Sequence, residues 1–479
     1  MTITLIRNAS WIVAYDAKAK GHVYLRDGDV AYEGDRILQV GGSYKGKADA
    51  TIDGRGKMVM PGLVNIHSHP SSEAMCKGWN DELGSAKMYG TALYEFMPLF
   101  RCDAAGVKPC AQVTYSELLM SGVTTLVDMS AAWDGWFETF KASGLRAVFA
   151  PMYRSARWYT DNGHLAQYEW DAKAGEKAMA QAMKLLDQVA ADATGRLSGM
   201  VSPSQIDTCT PELIQASYEE AETRKIPFQI HAAQSVVEFH EITRRHGMTP
   251  VEWLEELDVL GPFSIIGHGI FLDHHSSVKW PATDDMGALV ETGTNVAHCP
   301  IVFQRRGIAM QSFGQYVAAG INVGIGTDTY PHHMLEELRA VCIGSRMMAE
   351  DVYDVRTSDA FNAATLGSAK ALGRDDIGRL AKGAKADIVL VDVTHPMMRP
   401  LRDPIRSLIY AAGERAVTTV IVDGVTVVEN GKVLTMDYAS AAAELEEAQR
   451  RAEPNVQGLD WAKRDHLEIS PLTFPAGRG

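Results

Sequence analysis

Pro61-Gly62-Leu63-Val64-Asn65-Ile66-His67-Ser68-His69-Pro70 is an apolar run that ends in two histidines one residue apart. Such a run reads as a buried strand, and alternate residues of a strand point the same way, so His67 and His69 can share one target. Imidazole nitrogen suits zinc, iron and similar ions. The competing reading is two unrelated histidines near a turn. The rest of the chain decides between them. Pro227-Phe228-Gln229-Ile230 runs into His231, Phe263-Ser264-Ile265-Ile266-Gly267 into His268, and Asn322-Val323-Gly324-Ile325-Gly326-Thr327 into Asp328. Each is a short apolar run with a metal-ligand residue at its C-terminal end. In a parallel α/β barrel all strand C-termini converge on one face, which brings such residues to one point.

Between residues 61 and 375 strands and helical segments alternate. After the His67 strand come Val123–Asp128, Leu145–Ala150 and Leu197–Ser202, then the strands carrying His231 and His268, then Thr294–His298 and the Asp328 strand. Amphipathic segments such as Ala104–Ser121, Ala172–Ala190 and Pro211–Arg224 fill the intervals, and Gly261-Pro262 reads as a stop. Eight strands alternating with helices predict a (β/α)8 TIM barrel in an α/β protein. The 479 residues hold such a barrel, of ~250 residues, with room for a smaller domain.

Both ends are β-rich. Residues 1–60 contain Val23-Tyr24-Leu25, Asp29–Tyr32 and Arg36–Val40 between Gly and Asp turns. Residues 376–437 contain Ala386–Val391 and a hairpin with Asp423-Gly424 at its tip, a strong two-residue turn signal. One small β-sandwich built from both ends is expected. Residues 438–479 read as a packing helix, Tyr438–Arg451, followed by an irregular arm through Pro471 and Pro475, with a subunit contact as one role for the helix.

The composition, 46% hydrophobic and 22% charged, is ordinary for a globular protein. A net charge of −14 argues against a nucleic-acid partner, which needs a basic face. No stretch is apolar enough to span a membrane, and the start lacks the basic region and long apolar core of a signal peptide. Six scattered cysteines without a CxxC pair point to a reducing cytoplasm. Among them Cys299, beside His298, reads as a packed thiol.

The ordered set of His67-Ser68-His69, His231, His268, Asp328 and the late Gly378–Leu390 segment resembles the amidohydrolase superfamily, and within it the triazine hydrolases and the guanine and adenosine-analogue deaminases. The resemblance implies a barrel with a two-ended β-sandwich. It implies one divalent ion held by His67, His69, His231 and Asp328, with zinc first and iron second. It also implies a homodimer or higher homo-oligomer acting on a small molecule. Members with two metals bridge them with a carbamylated lysine at the end of strand four. Here Val201-Ser202-Pro203-Ser204-Gln205 stands there without a lysine, so one ion is expected. In the implied roles Asp328 accepts a proton and His268 orients the attacking water; in some members the equivalent of His268 ligates the metal.

One departure bears on chemistry. Deaminase-like members carry a glutamate three residues after the strand-five histidine, where it shuttles protons to the substrate ring. Here the run is His231-Ala232-Ala233-Gln234, and an amide does not titrate near neutral pH. Cleavage of a urea, carbamate or amide needs no ring protonation, as in the phenylurea and thiocarbamate hydrolases of this group, and is the leading expectation. Deamination of a purine, pyrimidine or triazine is the alternative, and a non-catalytic scaffold the third. Substrate contacts are expected from Gln234, from His298 on strand seven, from Trp79 (with Tyr89) in the loop after His69, and from Arg305 or Arg306. The pairs His274-His275 and His332-His333 lie outside strand ends and are set aside as primary ligands.

Overall fold

The computed structural model describes residues 2–281 and 283–475. Eight parallel strands form its centre: Leu63–Asn65, Val123–Asp128, Arg146–Phe149, Leu197–Gly199, Phe228–Ala232, Ser264–His268, Asn295–His298 and Val323–Ile325. The first four pair in sequence, and so do the last four. Parallel bridges Val201–Phe228 and Ser68–Asp328 join the two halves and close the barrel. Nearly every residue of these strands is buried, because the inner face packs side chains into the barrel and the outer face lies under helices. That is why they read as continuous apolar runs rather than alternating ones.

Local signals set the surrounding helices. Thr210 caps Pro211–Arg224 by accepting the Leu213 N–H, with Pro211 in the first turn and Lys225 left-handed at the end. Asp171 caps Ala172–Ala190 through the Ala174 N–H. Ser235 caps Val236–His246 through the Glu238 N–H at 3.0 Å, and Gly247 closes that helix at φ +72°. The Ser235 cap also fixes the short turn that carries Gln234.

Both chain ends enter one continuous nine-stranded sheet. Lys57–Pro61 from the front pairs antiparallel with Ile388–Asp392 from the back. The first strand, Ile3–Asp16, breaks register between Ile6 and Ala9 and pairs Ala50–Asp53 before the break and Lys57–Pro61 after it. The sheet therefore bends back on itself. Ile6, Val30 and Ile37 from one part meet Ile12, Val59, Ile388 and Ile421 from the other in one apolar cluster. Val23–Leu25 and Asp29–Tyr32, expected as two strands, form a single one, Gly21–Glu33. The Asp-Gly pair between them makes no reversal: Asp27 sits at φ +50° within the strand, next to the bulge at which Ile3–Asp16 breaks register and Asn8 is left-handed at φ +58°. Asp423-Gly424 does turn, with φ +53° and +80°, between Val417–Val422 and Val425–Glu429.

A buried ionic link ties this sheet to the barrel. Arg146 on the third strand is 1% exposed and grips Asp387, 2% exposed, through Nε at 2.8 Å and Nη2 at 3.0 Å. Its Nη2 also reaches Asp423 at 2.6 Å. Removing one partner strands the others away from water. Arg146→Ala is expected to cost about 3–5 kcal/mol in urea unfolding; a cost under roughly 1 kcal/mol, the range of an exposed pair, would show that the link is hydrated.

The helix Tyr438–Ala452 packs within the chain. Ala441, Leu445 and Ala452 join Ala74, Cys76, Phe100 and Val113, and Arg451 pairs with Asp103 at 2.7 Å. It thereby covers the long loop that follows His69. Among the described residues no helix is long and apolar enough to cross a membrane.

Candidate metal centre and its cavity

His67 and His69 lie just past the tip of the first strand, and reciprocal backbone bonds fasten that tip to the eighth. The Asp328 N–H donates to His67 O and the His69 N–H to Asp328 O, both at 2.9 Å. Asp328 holds a left-handed φ of +56°, a conformation that aspartate adopts more readily than most residues. Two glycines make space for the His67 ring. A Cβ on Gly326 would stand 2.5 Å from His67 Cβ, and one on Gly267 would stand 2.8 Å from His67 Cε1.

Each of the three candidate ligand histidines spends its Nδ1–H on a fixed acceptor. His67 donates to Gln229 Oε1 at 2.5 Å, His69 to Met129 O at 2.7 Å and His231 to Ser204 O at 2.5 Å. The Nε2 lone pairs are thereby left facing one another and Asp328, as metal-ligating imidazoles require. His69 Nε2 lies 3.2 Å from His231 Nε2 and 3.2 Å from Asp328 Oδ1. His67 Nε2 lies 3.8 Å from Asp328 Oδ1 and is fully buried without a hydrogen-bond partner. A buried acceptor left bare is costly unless something fills it. The donor set His67, His69, Asp328 and the overlapping set His67, His231, His268 each converge within 4.8 Å. These groups fit a divalent cation.

Electrostatics agree for two of the three imidazoles. Burial pulls His67 and His231 well below the ordinary imidazole range, aided by the neighbouring histidines, so both are neutral ligands. His69 differs: burial opposes its charge, but the hydrogen bond and charge of Asp328 outweigh it and carry the ring up to about 9, so that a cation binding here would displace the Nε2 proton shared with Asp328. Burial opposes charge on Asp328 as well, and the surrounding imidazoles overcome it and hold the carboxyl well below its usual range. His268 is brought to about 3, chiefly by burial against the opposing pull of Asp328. Its Nε2 lies 3.6 Å from Asp328 Oδ2, and its ring meets Phe303 edge-on at 4.7 Å.

A cavity of about 470 Å³ opens beside this cluster, lined by His69, His231, His268, Asp328 and Gln234, and walled by Met129, Met152 and Phe303. Its size is that of a small-molecule site. Gln234 Nε2 is buried and makes no well-aligned hydrogen bond, with the Glu238 carboxyl as its polar neighbour. Three other residues expected to contact substrate stand outside the lining. Trp79 packs on Phe100 with centroids 3.8 Å apart, in the cluster beneath the C-terminal helix, because the tail covers the loop from outside. Arg305 donates to Tyr330 O and Thr329 Oγ1 and lies over the Tyr330 ring at 4.3 Å; Arg306 lines the cavity instead. His298 is buried behind the wall against Phe313, brought to about 4 by burial. Tyr89 is 62% exposed near His240.

Two residues beside the centre escape the sequence reading. Gln229 orients His67 and donates to Ile66 O at 3.0 Å. It sits two residues before His231 on one strand, so strand periodicity alone aims it inward. Glu73 lines the cavity four residues after His69. It accepts from Ser72 at 3.0 Å, while its other oxygen is buried and unpartnered. Burial pushes its carboxyl up. Nothing in its irregular loop marks it in the sequence.

The amidohydrolase family's sequence profile matches residues 58–427, and the chain belongs to that family. It is 28% identical over 433 residues to 5'-deoxyadenosine deaminase of Methanothermobacter thermautotrophicus, covering 88% of this chain and 95% of that one. It is 29% identical over 435 residues to 5-methylthioadenosine/S-adenosylhomocysteine deaminase of Pelotomaculum thermopropionicum, covering 89% and 94%. In fold it is similar to atrazine chlorohydrolase TrzN of Arthrobacter aurescens TC1 complexed with zinc, with a TM-score of 0.76, 21% identity and coverage of 93% and 100%. It is likewise similar to an adenosine deaminase of Xanthomonas campestris with bound zinc, with a TM-score of 0.77, 22% identity and coverage of 94% and 98%. The protein is an enzyme class that hydrolyses non-peptide C–N bonds of small molecules with a divalent metal.

Proposed function

We propose that the chain is an aminohydrolase that releases ammonia or an alkylamine from an aminated N-heterocycle, using one zinc ion held by His67, His69, His231 and Asp328. The observation that carries the chemistry is the donor set: three imidazoles turned by their Nδ1 partners so that Nε2 of His67 and His69 faces Asp328 and that of His231 faces His69. The deaminase relatives favour the heterocycle over the urea, carbamate or amide that leads from sequence alone. Zinc is assigned ahead of iron because neutral imidazoles and a carboxylate suit it, and the zinc-bound neighbours support it.

A divalent ion at this position lowers the pKa of a water toward ~7 and supplies the nucleophile at neutral pH. The protein does the remaining work. Asp328 takes the proton of the attacking water and hands it to the leaving nitrogen. His268, neutral under burial, fixes the direction of attack. Gln234 hydrogen-bonds the ring and moves no proton. The apolar wall of Met129, Met152 and Phe303 holds the ring flat and excludes water.

The test is metal content per chain, run beside ammonia and amine release from aminated purines, pyrimidines, triazines, phenylureas and carbamates. About one zinc per chain, with ammonia released from a heterocycle, is expected. Aniline or amine released with carbon dioxide from the ureas or carbamates alone would restore the other substrate class. A protein that retains no metal and turns nothing over would be a scaffold.

A further inference from the structure

The charges lining the cavity are unevenly placed. Its two acidic side chains are Glu73 and Asp328, at the metal centre; of its three arginines, Arg306 lies within reach of both acids, whereas Arg101 and Arg154 have neither among their charged neighbours. The three arginines come from the loops after the first, third and seventh strands, so the barrel's architecture, not one local motif, brings them to one chamber. Arg306 is partly used, donating to Val302 O at 2.6 Å and Leu83 O at 3.3 Å.

Arg101 and Arg154 differ from the chain's structural arginines. Most of those are matched by a carboxylate, as Arg146 is by Asp387, Arg224 by Asp187 and Arg451 by Asp103. Among the described residues neither Arg101 nor Arg154 has an ion-pair partner. Burial and Arg157 act against the charge on Arg101; burial and Arg101 act against that on Arg154, which Cys209 and Asp207 favour from a distance without forming an ion pair. The Arg154 guanidinium is steadied from one side by the Trp158 ring at 5.6 Å, and Trp158 also lines the cavity. Gathering unpaired cations in a concave wall is unfavourable unless an anion visits it. The planar, five-donor guanidinium suits carboxylate and phosphate.

We propose that Arg101 and Arg154, backed by Arg306, form an anion subsite for a carboxylate or phosphate group on the substrate, held at the end of the cavity away from the metal ligands. The proposal rests on the cavity being the substrate site, as under Proposed function, and narrows the substrate to an aminated heterocycle that bears an anionic arm.

Three probes that differ only in the arm test it: adenine alkylated on its five-membered ring with a carboxypropyl, a phosphonopropyl or a butyl chain. Binding to zinc-loaded enzyme is measured by calorimetry, and ammonia release is followed separately. An anionic probe is expected to bind at least about 10-fold more tightly than the butyl probe, a preference that salt reduces as it screens the charges. The stronger of the two identifies carboxylate or phosphate as the group. Arg154→Gln is expected to bring the ratio near unity. Arg101→Gln, at the partly covered rim, should reduce it several-fold. Arg157→Gln, at an exposed pair with Glu169 outside the lining, should preserve it. Equal binding of the three probes, binding of none at millimolar concentration, or a preference that survives both Arg154→Gln and Arg101→Gln would overturn the proposal. Anionic preference without ammonia release would instead leave the subsite standing and remove the deaminase reading. Ammonia release at equal affinity for all three would do the reverse.

Discussion

Purified His67→Ala protein is expected to lose its divalent metal and its turnover together. His67 is held at full burial by Gly326 and Gly267, oriented by Gln229, and left with a bare Nε2 at the centre. Loss of an outer partner of a metal ligand costs roughly 10–100-fold in metal affinity, and loss of the ligand itself should exceed that. Asp328→Asn separates the two functions of the carboxylate. An amide oxygen still faces the centre, but it no longer accepts the proton of the attacking water. Metal content should therefore largely persist while kcat falls about 10²–10⁴-fold, the range for removing a positioned acid–base group. Elemental analysis beside ammonia release reads both variants. His67→Ala protein with a full equivalent of metal and parental turnover would end the assignment of the centre.

What the sequence exposes follows from how each residue is held. The barrel is legible because its strands are buried on both faces, so Val123–Asp128 and Phe228–Ala232 appear as short apolar runs with sharp ends. The strand-end histidines and Asp328 are legible because topology alone brings strand C-termini together. The loops are opaque for the opposite reason. Trp79 looks like a stacking platform until the C-terminal helix, over 350 residues later, is seen to cover it. Arg305 and Arg306 are adjacent and chemically alike, and only the tertiary placement of Tyr330 sends one to a ring and the other to the cavity. Glu73 and Arg154 take part in the cavity through irregular backbone that has no periodicity to read. Asp27 shows the same limit within a strand, since an Asp-Gly pair marks a left-handed residue whether the chain reverses or runs on.

Gln234→Glu is expected to raise kcat for an aminated heterocycle on the order of 10²-fold or more, the contribution of a positioned general acid, and to add a new ionisation to the pH–rate profile. The amide already lines the cavity three residues after His231, with its Nε2 buried, and the Ser235 cap holds its turn. A glutamate of nearly the same size fits that position sterically, but it takes an amide donor away from the buried Glu238 carboxyl and sets a second carboxyl beside it. Glu238, whose carboxyl accepts the Ala233 N–H, lies next to it. Burial and a neighbouring carboxylate both disfavour ionisation, so the introduced carboxyl should titrate above the usual range, nearer the working pH of a proton shuttle. KM should change little, because the gain belongs to proton transfer in the transition state and not to ground-state binding. Rates on a urea or carbamate should not rise, since their carbonyl is polarised without ring protonation. A Gln234→Glu variant with the parental substrate profile and no new ionisation would mean that residue 234 only positions the ring. Asp328 would then carry every proton in the reaction, and the amide would be a specificity contact whose exchange for a carboxylate changes affinity rather than rate.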